Sequence, residues 1–523
     1  MKTYLQNLRG YTPMLLICCL GTFVLIGVYN INSPGLYYDE ALFVNAATGG
    51  ETDLFVFKRL ADLPVMLMPY IGALKAWLYY PIFKIFEIDY LSLRLPAILF
   101  GALAIGLMWK YVHHQFGSLT ASIFLIMAVV EPSTIFHSRL DWGPTALMMV
   151  FRGGLLLSLA YWFHSGNIKY LLLALTCAVL GTFDKLNFIW IASSAFAAGV
   201  LMYPDRFGKT CLSKNKNTFI GILIVAVVLS IATVKIIGFR LIEEIGIADL
   251  DERVSVFLNL LVLTMRGEGV YQFVIQGGNK AFDLHAYVLI AAASLALWGI
   301  YRGIRAGRLK VRRLAYFSLV LLLLAIQIFF TKKATGPHHF ATFAPLWLVL
   351  MAVGLSNALA ELQKCGPVLA KALIGLPVIL VVATSVNINA LYHEGFKSSV
   401  GNPHWDPASS TELTNTLLAH DVKLMLAVDW GLATNVQALS NNQIKVIDLW
   451  PMFNDGLNEG QSKWISSEFI KSGTVFVLHA DERETFPAAR LNFLDGARSN
   501  GWELRRVAEI KTMDGKPYIE IYN

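Results

Sequence analysis

Charged residues are scarce in this sequence. They make up 15% of the 523 residues, whereas soluble domains carry about 25%. Hydrophobic residues make up 56%, above the roughly 45–50% of soluble domains. These proportions exclude a soluble enzyme. The apolar residues lie in repeated blocks of roughly 17 to 22 residues, the length of a helix that crosses a bilayer, so the chain is predicted to be a polytopic membrane protein.

The sequence also lacks a disulfide framework and the common hydrolase motifs. Its five cysteines lie in apolar blocks (Cys18, Cys19 and Cys177) or in loops predicted to be cytoplasmic (Cys211 and Cys365), so the long polar segments have none. It has no Walker-type glycine-rich loop, no Gly-x-Ser-x-Gly elbow and no His-Glu-x-x-His. Nucleotide hydrolysis, serine hydrolysis and zincin chemistry are therefore not expected.

Positive charge is concentrated in the apolar part of the chain. From Leu391 onward, 12 Lys and Arg face 17 Asp and Glu, a net charge of −5. Because the whole chain carries +7, residues 1–390 carry +12. This charge lies in short loops between apolar blocks, where membrane orientation explains it better than a nucleic-acid surface does. No nucleic-acid partner is expected.

The predicted fold is a polytopic α-helical membrane protein with about eleven transmembrane helices. If the N-terminus is cytoplasmic, the inner loops contain sixteen Lys and Arg, opposed only by Asp205 and Glu361, as the positive-inside rule predicts. The expected location is the inner (plasma) membrane, with the C-terminal segment periplasmic or extracellular. The predicted spans lie near residues 12–32, 94–112, 119–136, 143–163, 169–183, 187–203, 218–238, 285–301, 314–330, 340–358 and 368–390.

One further apolar block, Leu63 to Phe86, is interrupted by Pro64, Pro69 and Pro81. If it crossed the membrane, every later loop would change side and the positive-inside pattern would be lost. It is therefore predicted to form broken helices on or in the outer leaflet, with Lys75 reaching toward lipid head groups.

Two domains are predicted. Residues 1–390 form a transmembrane catalytic domain with large outer loops at residues 33–93 and 239–284. Residues 391–523 form an extracytoplasmic α/β domain with alternating, strand-like runs and three helical segments. The strands are expected near residues 423–428, 444–449, 474–478, 504–510 and 518–522, and the helices near residues 409–419, 462–471 and 488–499.

Two acidic motifs stand at predicted outer ends of spans. Tyr37-Tyr38-Asp39-Glu40 follows the first span, and its acids fit either a functional site or a helix N-terminus. Arg139-Leu140-Asp141 precedes the fourth span, and it fits either a functional pair or a local ion pair with a helix cap. An ionisable group drawn into the membrane core costs about 2.5–3.5 kcal/mol, so each needs a function or a partner.

Two cationic motifs lie on the same predicted side. Asp184-Lys185 stands between two spans that leave no room for a loop, and it fits either a functional site or a buried structural ion pair. The segment from Lys332 to His339 holds two lysines and the histidines His338 and His339. Adjacent histidines rarely chelate one metal without further ligands, so a phosphate is the better candidate. Acids and cations at one membrane face indicate a reaction on a lipid phosphate.

These residues resemble the GT-C superfamily of polyprenyl-phosphate-sugar glycosyltransferases, in the branch that holds protein O-mannosyltransferases and lipid A aminoarabinose transferases. The resemblance covers most of residues 1–390. It implies an integral membrane enzyme that moves a sugar from a polyprenyl-phosphate carrier to a hydroxyl of an extracytoplasmic lipid, glycan or protein acceptor. The motifs that carry it are, in order, Tyr38-Asp39-Glu40, Leu93-Arg94-Leu95-Pro96, Arg139-x-Asp141, Asp184-Lys185 and His338-His339-Phe340.

The resemblance implies that Asp39 is the catalytic base with Glu40 as its supporting neighbour. Asp141, the third expected catalytic residue, matches the family's aspartate after the third span, and Lys185 matches a lysine that can contact the lipid phosphate. Arg139, His338 and His339 complete the expected substrate-binding set.

One feature departs from the family pattern. Relatives often carry a lysine or proline pair before the broken outer helices, where this chain has Leu67-Met68-Pro69-Tyr70. Any lysine role there moves to Lys58 and its neighbour Arg59, to Lys75, or to no residue.

The expected chemistry needs a carboxylate and cations. The carboxylate takes the proton of the acceptor hydroxyl, the cations hold the departing phosphate, and one direct displacement inverts the anomeric carbon. No cofactor is required, with a divalent metal as the alternative. The rival interpretations are a transporter or flippase of a polyprenyl-linked or small polar substrate, a membrane sensor, and a glycan transferase that uses a diphosphate donor and commonly a metal.

Overall fold

The computed structural model describes residues 2–48, 56–212, 221, 249–332, 334–398, 402–470 and 474–523, which divide into two units. The helical unit comprises residues 1–29, 96–272 and 278–391. The sheet unit comprises residues 30–95, 273–277 and 392–523. The first predicted outer loop thus clusters with the C-terminal residues, whereas the sequence prediction assigned these two segments to different domains.

The helical unit is built from apolar helices. Among the described residues, five helices are long and apolar enough to cross a membrane: Tyr90–Phe116, Thr145–Ser165, Lys280–Arg305, Val311–Phe329 and Pro367–Lys397, the last continuing to Ser398. Three shorter helices are also apolar: Pro13–Val28, Leu186–Met202 and Leu346–Leu362. The first is part of the longer helix Lys2–Val28, and the second begins with a 3-10 turn over Leu186–Phe188. The remaining helices outside the sheet domain are Ile168–Asp184, Pro204–Leu212, Leu250–Met265, Gly269–Val274 and Pro337–Phe340.

A bent pair of helices covers the third predicted span. Ser118–Ala128 and Pro132–Leu140 meet at an angle of 59°. Pro132 lacks an amide hydrogen and therefore fits the first turn of a new helix, and the carboxylate of Glu131 caps that turn by accepting from the amides of Ser133 (3.1 Å) and Thr134 (2.7 Å). After this bend, the second helix ends at Leu140, directly before Asp141.

Ten of the eleven predicted spans overlap a helix or this bent pair. The span predicted at residues 218–238 lies outside the described residues except for Gly221. The number of crossings therefore stays a prediction. Contacts between loops fit the predicted sides: Asp205 is bound by Arg312, and Glu361 is bound by Arg302 and Arg308, so loops expected on the inner face are in contact.

Two helices of this unit approach each other through glycines. A Cβ atom on Gly299 would lie 2.1 Å from the carbonyl oxygen of Gly354, and one on Gly354 would lie 2.2 Å from that of Ala296. The helices Lys280–Arg305 and Leu346–Leu362 therefore pack backbone against backbone. Small residues at helix crossings are typical of membrane proteins, where close packing replaces the hydrophobic driving force.

The sheet unit contains a five-stranded sheet. Its order is Lys445–Asp448, Leu424–Ala427, Thr474–His479, Pro517–Tyr522 and Arg506–Lys511. The first three strands are parallel and the last two are antiparallel to their neighbours, and buried Phe476 and Phe493 belong to the core. All five strands lie within three residues of the predicted positions. Helices and short 3-10 turns of this unit are Tyr38–Thr48, Leu74–Ile85, Pro403–Trp405, Pro407–Ser409, Thr411–Ala419, Leu432–Leu439, Trp450–Asp455, Glu459–Glu468 and Pro487–Asn500.

The prediction for the Leu63 to Phe86 block is wrong in its first half. Instead of broken helices, Lys58–Leu60, Leu63–Met68 and Ile71–Gly72 form a small antiparallel sheet. Pro64 and Pro69 account for this, because prolines five residues apart prevent a regular helix. Only Leu74–Ile85 is helical, and its 12 residues span about 18 Å, too short to cross a core of roughly 30 Å.

Candidate active site

Asp39 lies in the first turn of the helix Tyr38–Thr48. The first turn of a helix carries unpaired amide hydrogens and the positive end of the helix dipole, which favour a carboxylate there. The side chain of Asp39 is partly exposed, whereas Glu40 is 3% exposed. The two neighbouring acids therefore stand in different environments, and Asp39 is the one that solvent or a substrate reaches.

Glu40 is held in a buried ion pair with Arg94. The guanidinium donates from Nε to Oε1 at 2.8 Å and from Nη2 to Oε2 at 3.0 Å, a two-bond geometry. Arg94 also donates to the backbone carbonyls of Ile31, Pro34 and Gly35 at 2.8–3.1 Å. The pair thus fixes the turn that precedes Asp39.

Two aromatic pairs hold the residues just before Asp39. Tyr37 stacks on Trp405 with ring centroids 4.3 Å apart, and Tyr38 stacks on Trp430 at 4.8 Å. Burial raises the pKa of both tyrosine hydroxyls well above the ordinary value, so they stay neutral. Both partners come from the C-terminal segment, more than 360 residues away, and restrict the start of the Asp39 helix.

Asp429 and His479 form a buried pair at the carboxyl ends of two parallel strands. Nδ1 of His479 lies 2.6 Å from Oδ2 of Asp429, and the amide of Trp430 donates to Oδ1 at 2.7 Å. Burial alone would raise the pKa of Asp429, but the hydrogen bonds from His479 and from backbone amides lower it below its usual value. The resulting carboxylate fixes Trp430, and through its stacking the position of Tyr38. The predicted site did not include Asp429 or His479. The sequence signal that would have indicated them is the presence of polar residues at the carboxyl ends of parallel strands.

The remaining predicted cations of this unit are Lys58, Arg59 and Lys75. Lys58 is exposed on the small sheet, and Arg59 beside it donates to the carbonyl of Asp62 at 3.1 Å. The expectation that Lys75 reaches toward head groups is wrong. Its ammonium lies 4.2 Å from the ring centroid of Phe43 and the residue is 3% exposed, because aromatic faces attract a buried cation.

In the helical unit, Asp141 stands between two helices. It adopts a left-handed backbone conformation (φ 41°) at the end of Pro132–Leu140. It is 2% exposed, and its Oδ1 accepts from the amide of Ala146 at 2.8 Å, in the first turn of Thr145–Ser165. The aspartate therefore joins the end of one helix to the start of the next.

Trp142 connects Asp141 to the predicted cations. Its carbonyl accepts from Nζ of Lys185 at 3.3 Å, and its ring lies 4.6 Å from that of His338. The rings of His338 and His339 are 4.0 Å apart. Lys185 is 4% exposed. These residues form one cluster, called here the Lys185 cluster: Asp141, Trp142, Lys185, His338 and His339.

One imidazole nitrogen of the Lys185 cluster, Nδ1 of His338, is buried and has no hydrogen-bond partner in the described part of the chain. Beside the cluster, Nδ1 of His137 lies 2.7 Å from the carbonyl of Ser133. Buried polar atoms normally have partners. A ligand oxygen near the Lys185 ammonium would supply both hydrogen-bonding and charge complementarity.

Three buried arginines hold the backbone around the Lys185 cluster. Arg139 donates to the carbonyls of Gly27 (3.0 Å) and Tyr29 (2.6 Å) at the end of the first helix, so the structure gives this predicted substrate-binding residue a positioning contact. Arg152 donates to the carbonyls of Thr342 and Ala344, and Arg253 donates to that of Ala334. The last two therefore support both sides of the His338 segment.

Within the described residue ranges, no group of three or more His, Cys, Asp or Glu residues is arranged to hold a metal ion. The residue at position 333, one of the two predicted lysines before His338, lies outside the described residues. The sequence analysis did not identify the contacts of Trp142, or those of Arg94, Arg152 and Arg253.

Comparison with known proteins supports the resemblance drawn from the motifs. Residues 72–234 match a family model described as dolichyl-phosphate-mannose-protein mannosyltransferase. That stretch contains Arg94, Asp141 and Lys185. No curated protein sequence matches the chain.

Solved structures are similar over nearly the whole chain. ArnT from Cupriavidus metallidurans bound to undecaprenyl phosphate is 12% identical, with 98% of each chain covered and a TM-score of 0.60, and the apo form gives 0.58. The oligosaccharyltransferase of Archaeoglobus fulgidus with a tethered acceptor peptide is 14% identical, with 97% of this chain and 74% of that chain covered and a TM-score of 0.53. The arabinofuranosyltransferase AftD from Mycobacteria is 16% identical, with 97% of this chain and 39% of that chain covered and a TM-score of 0.53.

At 12–16% identity, structural similarity over 97–98% of this chain identifies its fold. The chain is a multi-pass membrane protein with the fold of these glycosyltransferases. The family model that matches residues 72–234 and the shared fold agree with the resemblance drawn from the motifs.

Proposed function

We propose that this protein is a membrane glycosyltransferase that moves a sugar from a polyprenyl-phosphate carrier to a hydroxyl group of an extracytoplasmic acceptor. The observation that carries the proposal is the Lys185 cluster. A buried ammonium, two histidines and an indole ring converge there, and Asp141 and Lys185 lie inside the stretch that matches the mannosyltransferase family model. An ammonium beside histidines suits a phosphate that gains charge as it leaves.

In the proposed reaction, Asp39 acts as the general base. Its carboxylate takes the proton of the acceptor hydroxyl while that oxygen attacks the anomeric carbon. The bond from this carbon to the phosphate oxygen breaks, and the electron pair leaves with the phosphate. One displacement inverts the configuration. The partial exposure of Asp39 and the fixed position of its helix support this role over one for Glu40, whose carboxylate is bound by Arg94.

Lys185 is proposed to stabilise the departing phosphate, with His338 and His339 as neutral donors. Asp141 would orient the cluster, because its carboxylate binds the start of the following helix. Lys58, which is exposed, and Arg59, which is partly buried, would contribute at most to the approach of the anionic donor. No metal is needed in this scheme, since the leaving group is a phosphate monoester anion held by cations.

The relatives suggest what the donor and acceptor are. The ArnT structure holds undecaprenyl phosphate, and the oligosaccharyltransferase structure holds an acceptor peptide. For this chain we propose a polyprenyl monophosphate donor in the inner membrane and an acceptor on the periplasmic or extracellular side. The charge distribution of the predicted loops supports that orientation.

A transfer assay tests the proposal. Purified full-length protein in detergent with added lipid receives radiolabelled sugars on polyprenyl monophosphate or diphosphate, together with an extract of envelope glycolipids and proteins, with and without EDTA. We expect label transfer from a monophosphate donor that persists in EDTA. Transfer only from a diphosphate donor, or only without EDTA, would replace the proposal by the diphosphate-donor alternative. Absence of transfer from either carrier by folded protein would contradict both enzyme assignments.

A further inference from the structure

A cavity lies at the other end of the helical unit from the Lys185 cluster. The helix Thr145–Ser165 has 21 residues and is about 31 Å long, roughly the thickness of a bilayer core. Asp141 and Trp142 precede its start, and His164, in its last turn, lines the cavity. The cavity has a volume of about 100 Å³. It therefore stands at the face predicted to be cytoplasmic.

The walls of this cavity are basic and aromatic. Its side chains include Arg206, Arg313, His114, His164 and Tyr203. They come from the ends of four helices. A polar cavity of this size holds several water molecules or one tetrahedral anion. None of the described residues that line it is acidic.

Helix capping explains some of the contacts that Arg206 and Arg313 make. Arg313 donates to the carbonyls of Gln115 (2.8 Å) and His114 (3.2 Å), and Arg206 donates to that of His164 (3.1 Å), so both arginines close helix C-termini. The two bonds of Arg313 both use Nη1, although a guanidinium has five N–H donors. Helix capping therefore uses only the Nη1 nitrogen of the Arg313 guanidinium.

Positive charge exceeds negative charge around the cavity. Asp205 is the acid beside it; this residue is bound by Arg312 and lies 4.0 Å from Arg206. Arg312 also lies over the ring of Tyr203 at 4.2 Å. Arg206 and Arg312 thus share one carboxylate, and Arg313 adds a further positive charge at the cavity wall. In addition, Nδ1 of His114 is buried without a hydrogen-bond partner among the residues that the structure describes.

We infer that this cavity binds a phosphate group, most simply the head group of an anionic lipid of the inner leaflet. Arginine recognises phosphate through its planar set of donors, and basic pockets between membrane helices at the cytoplasmic face suit anionic head groups. The site is separate from the proposed donor site, because the two lie at opposite ends of the same helices. The inference does not require the proposed transferase activity.

Native mass spectrometry of the full-length protein tests the inference. The probes are dioctanoyl phosphatidylglycerol, dioctanoyl phosphatidylcholine and inorganic phosphate. The variant Arg206→Gln removes one cavity cation, and Arg313→Gln is a second variant should the first fail to fold. Arg305→Gln is the matched control, because Arg305 is an exposed arginine in a loop predicted on the same face and stacks on Tyr301 outside the cavity.

We expect one tightly held phosphatidylglycerol on the wild type and on Arg305→Gln, and about tenfold weaker binding to Arg206→Gln, the loss typical of one charge-assisted hydrogen bond. Competition by millimolar inorganic phosphate would show that the phosphate itself, free or on a lipid, is recognised. Absence of competition would assign the site to the lipid head group. Equal binding of phosphatidylcholine, or unchanged binding by a folded Arg206→Gln and a folded Arg313→Gln, would overturn the inference.

Discussion

The two units hold buried arginines in different ways. In the sheet unit, carboxylates bind two of them: Arg94 pairs with Glu40, and Arg490 pairs with Glu520 at 2.7 Å. In the helical unit, backbone carbonyl oxygens bind Arg152 and Arg253. An ion pair cancels charge, whereas carbonyl dipoles solvate a cation without removing its charge. The helical unit therefore keeps positive potential where an anionic phosphate is expected, and the sheet unit uses its pairs to fix structure.

The comparison predicts its largest effect on stability at the Arg94–Glu40 pair. Glu40→Ala leaves a guanidinium that is 1% exposed without its carboxylate, which typically costs about 3–5 kcal/mol. We expect a clearly lower melting temperature in detergent, measured by nanoscale fluorimetry. The control is Glu459→Ala, which breaks an exposed pair with Lys463 worth at most about 1 kcal/mol. Equal melting temperatures for the two variants would contradict the structural role of Glu40.

Loss of Lys185 is expected to reduce transfer rather than stability. Lys185→Ala removes a cation that carries charge into the proposed donor site, and removal of one such group typically lowers the rate about 10²- to 10³-fold. Single-turnover transfer of labelled sugar measures the effect. Lys332→Ala is the control, because Lys332 is an exposed lysine in the same His338 segment. Comparable rates for the two variants would remove Lys185 from the mechanism.

Glycine 143 offers a finer test of the same site. Gly143 has φ +67°, and a Cβ atom there would lie 2.7 Å from Nζ of Lys185. Gly143→Ala should therefore displace the ammonium and lower transfer by about tenfold, if the shift costs about 1.4 kcal/mol of transition-state stabilisation. Gly307→Ala is the control, because Gly307 has a similar positive φ of +63° with no atom of the described residues within 4 Å of the added Cβ. Both variants should lose similar stability, measured by melting, and only the first should lose activity.

The last prediction concerns the pH dependence of stability. Burial and the charge of Asp429 raise the pKa of Asp448 to about 7, against about 3.9 in an unfolded chain. The folded state therefore holds a proton that the unfolded state releases, so this group's contribution to stability declines as pH rises from about 4 to 7. Asp448→Asn removes that dependence. The melting temperature of the wild type should fall relative to the variant between pH 5 and 8, and parallel profiles would contradict this assignment.

Local patterns predicted much of the fold. The strands of the C-terminal domain alternate or are continuously apolar, and the five observed strands lie close to their predicted positions. The bend in the third span and the strand Leu63–Met68 were not predicted. A proline indicates where a helix ends, but it does not indicate which structure follows. Hydrophobic length alone cannot distinguish a span from a short sheet followed by a helix.

The site was less predictable, because it depends on contacts between distant segments. Asp141, Lys185 and His338 were chosen by side and spacing, and the structure joins them through Trp142. The partners of Glu40 and Tyr38 lie 54 and 392 residues away in the chain, at Arg94 and Trp430. No local pattern encodes such distances. Only knowledge of the fold separates Asp39 as an accessible acid from Glu40 as a buried one.

The central claim is that Asp39 is the base of a sugar transfer from a polyprenyl monophosphate. The most direct measurement is single-turnover transfer of radiolabelled sugar by wild type and Asp39→Asn, after their melting temperatures and size-exclusion profiles are shown to agree. The predicted result is a loss of about 10²- to 10⁴-fold in the variant. Transfer at the wild-type rate by folded Asp39→Asn would contradict the claim.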